Sequence, residues 1–351
     1  MVIVFTTYGL LGVPTHDPLL QFTRGVFTLG SLGVTVFFII SGFLIAKSWD
    51  QRQNVFRFLW ARFLRLVPAL AGVALFTVFI IGPLTTHQSI LDYFTSGVTW
   101  GYFSIVTVFF PAYALPGVFA QNSSTLVNGS LWSLPVEATM YMVVLMAGAL
   151  GILSKKRLVS GITLAATAIY LFLIIQMAHA AAAHTTQGLV VPTQYYSFIL
   201  SLIFPFFFLL GSVYYLNRDI IRFDARLVLA AVIIWALSSW SYELLLLASF
   251  VCLPYIVLGT AFTSIPYLKR IGKKADISYG LYIFHYPVMQ TLVYFFAPDY
   301  LMLLIATLII TVPLAWLSWH LIESRALSLK DVDVKDVILR QIGLGRPSDR
   351  L

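Results

Sequence analysis

Long apolar runs alternate with short polar breaks from one end of this chain to the other. Runs near 27–48, 66–83, 132–152, 158–178, 195–215, 226–240, 244–263, 277–297 and 300–322 approach the ~20 residues that carry a helix across a hydrocarbon core of ~30 Å. An incomplete run occupies 1–13. The pattern predicts an all-α fold, a polytopic membrane helix bundle of about ten transmembrane helices with the first truncated. With residue 13 at the outer surface, the first run reaches only ~20 Å back into the membrane. Met1 would then begin inside the hydrocarbon, and residues upstream of it are expected. Two stretches fit no span: 98–118 is aromatic and interrupted by Pro111 and Pro116, and 238–243 is a tight break between two runs.

The polar breaks carry the orientation, because short cytoplasmic loops collect Lys and Arg. Arg52, Arg57, Arg62 and Arg65 fall in one break. Lys155, Lys156 and Arg157 fall in the next alternate one, followed by Arg218, Arg222 and Arg226, then Lys269, Arg270, Lys273 and Lys274. The intervening loops 84–131 and 179–194 contain neither Lys nor Arg, and Arg24 is the exception. Both termini are therefore expected in the cytoplasm. The chain divides into a membrane domain over 1–325 and a cytoplasmic tail over 326–351, whose mixed apolar and charged residues suit a short interfacial helix or disorder alike.

Composition agrees with this reading. Hydrophobic residues make up 60% and charged residues 10% of the 351, with a mean hydropathy of +0.90, too little polar surface for a water-soluble domain. The net charge of +8 lies in short clusters between apolar runs, not along one face, so it speaks for topology and against nucleic acid as a partner. The lipid bilayer is the expected surrounding. A single cysteine, Cys252, excludes an internal disulfide, and no Cys/His cluster has metal spacing, so no metal is expected. The opening lacks a charged n-region and an A-x-A cleavage site, and no internal repeat is present.

Few ionisable groups interrupt the apolar runs, and each such group is a candidate for function. Glu137 stands about one and a half turns into its run and His285 about two turns into another; Glu243 and His320 fall near run ends. Either of the first two could instead serve packing, as a satisfied partner between helices. Arg62 and Arg65, three apart, share a helix face before Pro68, where a planar guanidinium pair suits phosphate oxygens or anchors the helix at the interface. No G-x-S-x-G elbow, P-loop or H-E-x-x-H occurs. Ser41 and Gly42 in I-I-S-G-F suit close helix approach, and the sequons at Asn122 and Asn128 are too common a pattern to bear weight.

Four segments in order resemble the acyltransferase-3 family of membrane O-acyltransferases: VFFIISGFLI at 36–45, ARFLRLVPAL at 61–70, NGSLWSLPVEATMY at 128–141, and ISYGLYIFHYPV at 277–288 with a late IES at 322–324. The resemblance covers nearly the whole chain. It implies a bacterial inner-membrane protein that moves an acyl group, usually acetyl, from cytoplasmic acyl-CoA to a hydroxyl of a carbohydrate acceptor at the outer face. By the R-x-x-R match, Arg62 and Arg65 would contact the CoA phosphates. By the W-S-L-x-x-E match, Glu137 would orient or deprotonate the acceptor from the outer half of the membrane, with Trp132 and Ser133 binding that acceptor. His285 is the second catalytic candidate. The arginines near the inner surface and Glu137 near the outer one predict a divided site.

One departure stands out. Family members usually carry a histidine in the first helix, as in F-x-H-S-Y, and it is the leading general base. Here the segment reads VFTTYGLLG, with Thr6 or Thr7 at that position, and threonine does not accept a proton near neutral pH. His16 lies beyond the run. A degenerate, noncatalytic homologue is therefore one alternative, and a transporter or flippase of a polar or lipid-linked solute is another. The acceptor's identity and the oligomeric state are not legible in the sequence.

Overall fold

The computed structural model describes residues 1–186, 203–263 and 275–331. Among these residues the fold is helical without strands. The helices of nine residues or more are α1 Val2–Leu10, α2 Leu29–Arg52, α3 Val55–Phe76, α4 Ser133–Ala149, α5 Lys156–Thr186, α6 Ile203–Leu216, α7 Ala225–Leu237, α8 Tyr242–Phe262, α9 Ser278–Phe296 and α10 Tyr300–Ser318. By length and composition, six described helices can cross a membrane: Leu29–Arg52, Val55–Thr85, Gly129–Ala149, Lys156–His179, Tyr242–Phe262 and Tyr300–Ser328. Two shorter apolar helices, Ile203–Leu216 and Ala225–Trp240, accompany them. The fold is a multi-pass membrane bundle. Its outer surface carries exposed Leu229 and Ile233 on α7 and Leu301, Ile305 and Ile309 on α10, as expected where lipid is the solvent.

Local chemistry sets the helix starts. Thr28 and Ser31 form a capping box at the head of α2, Asn54 accepts from the Arg57 amide at 3.0 Å to open α3, and Ser241 caps α8. The fully buried carboxylate of Asp17 joins two elements: it accepts from the amides of Leu19 at 2.8 Å and Leu20 at 3.2 Å, and from Leu29 of α2 at 2.8 Å. The 98–118 stretch is no span; it turns through short helices at Gly97–Gly101 and Tyr102–Thr107. The break near 238–243 is a single 3-10 turn, Ser238–Trp240. The one topological exception, Arg24, places its guanidinium 5.7 Å from the Trp240 ring. The basic cluster 269–274, most of the 326–351 tail and the first part of the 195–215 run lie outside the described residues.

Close approach of α2 and α6 organises the centre. A Cβ built on Gly42 would lie 1.9 Å from the Phe208 carbonyl oxygen, and one on Gly211 would lie 2.1 Å from that of Ile39. Only glycine lets these backbones meet. Ser212 then donates across the seam to the Gly42 carbonyl at 3.0 Å.

The structure corrects the expected start of the second long span. The apolar run begins at 66, but α3 begins at Val55, so Arg57, Arg62 and Arg65 belong to the helix and not to a loop. A hydropathy reading ends a run at each charge, whereas Arg65 is accommodated inside the helix by ion pairs with Asp276 and Glu323.

Candidate active site

A cavity of about 220 Å³ opens where α1, α2, α3, α4 and α9 converge. Its apolar wall comes from Val2, Val34, Phe37, Leu66 and Leu134, and its polar groups from Arg65, Ser133, Glu137, Ser278, Tyr279 and Tyr282. Glu137 is buried one turn into α4. Tyr141, on the next turn of the same face, donates to its carboxylate. Arg62, Arg65 and Ser41 also interact with this carboxyl. Ser41 of the I-I-S-G-F segment thus stands beside Glu137, and the close helix approach expected of the pair falls to Gly42 alone.

The divided site predicted from depth is not what the fold builds, because Arg65 and Glu137 line the same cavity. Helix geometry supplies the reason. Arg62 and Arg65 sit ~10 and ~15 Å along α3 from its first residue, because that helix starts eleven residues before the apolar run. Their long side chains meet α4 well inside the bundle.

The two arginines have different surroundings. The Arg65 guanidinium lies 2.7 Å from Asp276 and 3.8 Å from Glu323, and 5.6 Å from the Tyr279 ring centre. Arg62 lies 5.8 Å from the Tyr141 ring centre, and its buried Nε has no hydrogen-bond partner among the described residues. Partial burial works against an ionised Asp276, whose side chain is half exposed. The Arg65 charge and hydrogen bonds from Ser278 outweigh it and hold the carboxyl below the ordinary range.

Ser133 and Trp132 part company. Ser133 Oγ lies 2.6 Å from Tyr282 Oη, whose own proton goes to the Ser130 carbonyl at 2.7 Å, so Ser133 donates to the tyrosine and fixes it at the cavity wall. Trp132 does not line the cavity; its ring packs 5.4 Å from that of Phe204.

His285 also lies off the cavity wall, fully buried one turn beyond Tyr282 and facing α1. Its Nδ1 is 2.7 Å from the Tyr282 carbonyl and 3.1 Å from that of Leu281; both only accept, so Nδ1 carries the proton. The Nε2 lone pair is left pointing at Thr6, whose Oγ1 is 3.4 Å away. Thr6, one of the two first-helix positions at which the resemblance expects a histidine, therefore sits against Nε2 of His285, while Thr7 donates to the Ile3 carbonyl at 2.9 Å. His16, the exposed residue of the following turn, is not part of this arrangement.

The 122–130 segment is strapped to α9. Gln290, fully buried, donates to the Ser124 and Leu126 carbonyls at 2.8 and 2.7 Å and accepts from Asn122 at 2.8 Å, while Asn128 donates to the Ile283 carbonyl at 2.8 Å. Both sequon asparagines are thus engaged in the fold. Four residues around the site were not singled out in the sequence: Tyr141, Tyr282, Asp276 and Glu323. Three of them, Tyr141, Tyr282 and Glu323, stand inside the matched segments, and Tyr141 is four residues from Glu137 on the same helix face. No group of three or more His, Cys, Asp or Glu side chains that could hold a metal occurs among the described residues.

The described residues form a helical membrane bundle with Arg65 and the buried Glu137 carboxylate at one cavity. The chain matches the acyltransferase-domain model of the acyltransferase-3 family over residues 1–320 and belongs to that family. Among its curated relatives, an "O-acetyl transferase" of Shigella phage Sf6 is 24% identical over 333 residues, covering 93% of this chain and 92% of the relative. "Nodulation protein 10" of Rhizobium leguminosarum bv. viciae is 27% identical over 320 residues, covering 85% and 82%. No solved structure matches.

Proposed function

We propose that this chain is an O-acyltransferase of the bacterial inner membrane, with both termini in the cytoplasm, that moves an acetyl group from acetyl-CoA to a hydroxyl of an exported or cell-surface glycan. The observation that carries the reading is one cavity holding Arg65, Glu137 and Ser133, with the Arg62 charge also acting on the same carboxyl. The buried, unpartnered Nε of Arg62 is a donor without its acceptor, which suits an incoming phosphate. The name of the phage relative supports acetyl as the group and oxygen as its destination.

In this reading the arginines hold the phosphates of the donor, and the acceptor hydroxyl enters from the outer side past Tyr282 and Ser133. The hydroxyl oxygen attacks the thioester carbonyl. A carbon–oxygen bond forms, the carbon–sulfur bond breaks, and the hydroxyl proton passes through a protein base to the departing thiolate, leaving the ester and CoA. Glu137 is the base in contact with the cavity. His285, whose Nε2 lies 3.4 Å from Thr6 Oγ1, is the second candidate. Deleting the gene and assaying surface glycans for alkali-labile acetate tests the proposal: loss of the ester with return on complementation is expected, and an unchanged ester content would reject it.

The threonine at the family's histidine position supports a second reading, a noncatalytic homologue that binds donor without turnover. Acetyl-CoA binding with no ester formed would favour it.

A further inference from the structure

The mechanism above leaves Glu323 unused. By helical spacing, the buried face of α10 runs through Thr307, Thr311, Ala315 and Ser318, and regular α geometry would give the next inward position to Ile322. Instead the helix passes into a π turn over Trp319–Glu323, which adds one residue to the turn. Glu323 takes the inward position and is 1% exposed. Ser318, five residues back, donates to its Oε1 at 2.9 Å and fixes the carboxyl. The other oxygen, Oε2, is buried, has no hydrogen-bond partner among the described residues and lies 3.8 Å from the Arg65 guanidinium.

Arg65 therefore stands between a shallow and a deep carboxylate. The Asp276 side chain is 45% exposed and that of Glu323 is 2% exposed. Asp276 alone would draw the guanidinium outward toward solvent, whereas the deep, weakly screened charge of Glu323 holds it against the cavity wall.

We propose that Glu323, turned inward by the π turn of α10 and fixed by Ser318, is a positioning residue that keeps Arg65 at the cavity for the anionic donor. This rests on the reading of Arg62 and Arg65 as donor-binding residues. The test is equilibrium binding of labelled acetyl-CoA to the full chain in lipid nanodiscs, with thermal unfolding measured alongside. Glu323→Gln, which keeps volume and loses charge, is expected to weaken binding about tenfold, within the range for residues sharing one ion-pair network. In an Arg65→Ala background, Glu323→Gln is expected to cost no further affinity. Ser318→Ala, which frees the carboxyl without removing it, is expected to weaken binding by a smaller factor and carries the test if Glu323→Gln fails to fold.

Unchanged or tighter binding in Glu323→Gln would overturn the proposal, as would equal losses with and without Arg65, the mark of a merely structural residue. Failure of the unmodified chain to bind acetyl-CoA would instead reject the donor reading on which the proposal rests, and the proposal with it.

Discussion

The seam between α2 and α6 permits a quantitative prediction. In Gly42→Ala the new methyl would stand 1.9 Å from the Phe208 carbonyl oxygen, where ordinary contact begins near 3.4 Å, so the helices must part by about 1.5 Å. The obstacle is backbone, which cannot rotate aside as a side chain can. Overpacking of this kind costs roughly 1–3 kcal/mol. Parting the helices also stretches the Ser212 hydrogen bond to Gly42, worth about 0.6 kcal/mol inside a membrane bundle. The expected loss is about 2–3 kcal/mol. Gly161 is the control, because it lies inside α5 with nothing within 4 Å of a built Cβ, so Gly161→Ala should be neutral or gain up to about 1 kcal/mol. Thermal unfolding of both variants in one detergent, followed by tryptophan fluorescence, makes the comparison. Equal unfolding temperatures for Gly42→Ala and Gly161→Ala would refute this role of the seam.

Two further perturbations test the surroundings of the site. Asp17→Ala removes three hydrogen bonds at once and leaves the Leu29 amide of α2 without its acceptor; a destabilisation of about 2–3 kcal/mol is expected, with Asp17→Asn milder because one acceptor oxygen remains. The Asp276 carboxyl titrates below its ordinary range in the folded chain, so its ion pair adds stability above about pH 4 and loses it as the pH falls through the lower folded value. The stability difference between the unmodified chain and Asp276→Asn should therefore be full at pH 7 and shrink below pH 4; a difference constant down to pH 2 would refute the assignment.

How much of this was legible in the sequence depended on what set each feature. Apolar runs located the long helices because burial in lipid acts on every residue of a span. The same rule misplaced the start of α3, because Arg62 and Arg65 read as a loop when considered without the carboxylates 211 or more residues away in the chain that accommodate Arg65. Glu137 and Ser133 could be found from one short segment, since a helix start puts both on the same cavity wall. Glu323 was in view in the IES at 322–324, but its inward placement was not: a π turn moves the inward register by one residue, and nothing in a periodicity of 3.6 announces it. Nor could sequence show that Thr6 faces His285, a contact between the first helix and one 279 residues later.

The central claim is that the arginine–carboxylate cavity transfers acetyl from the CoA thioester to a glycan hydroxyl. It is tested most directly by supplying radiolabelled acetyl-CoA to membranes bearing the unmodified chain, Arg62→Ala or Glu137→Gln, and counting alkali-labile label in the surface glycan. Label is expected with the unmodified chain, with rates lower by at least about 100-fold in Glu137→Gln and strongly reduced in Arg62→Ala. Equal labelling by all three, or none by the unmodified chain, would contradict it.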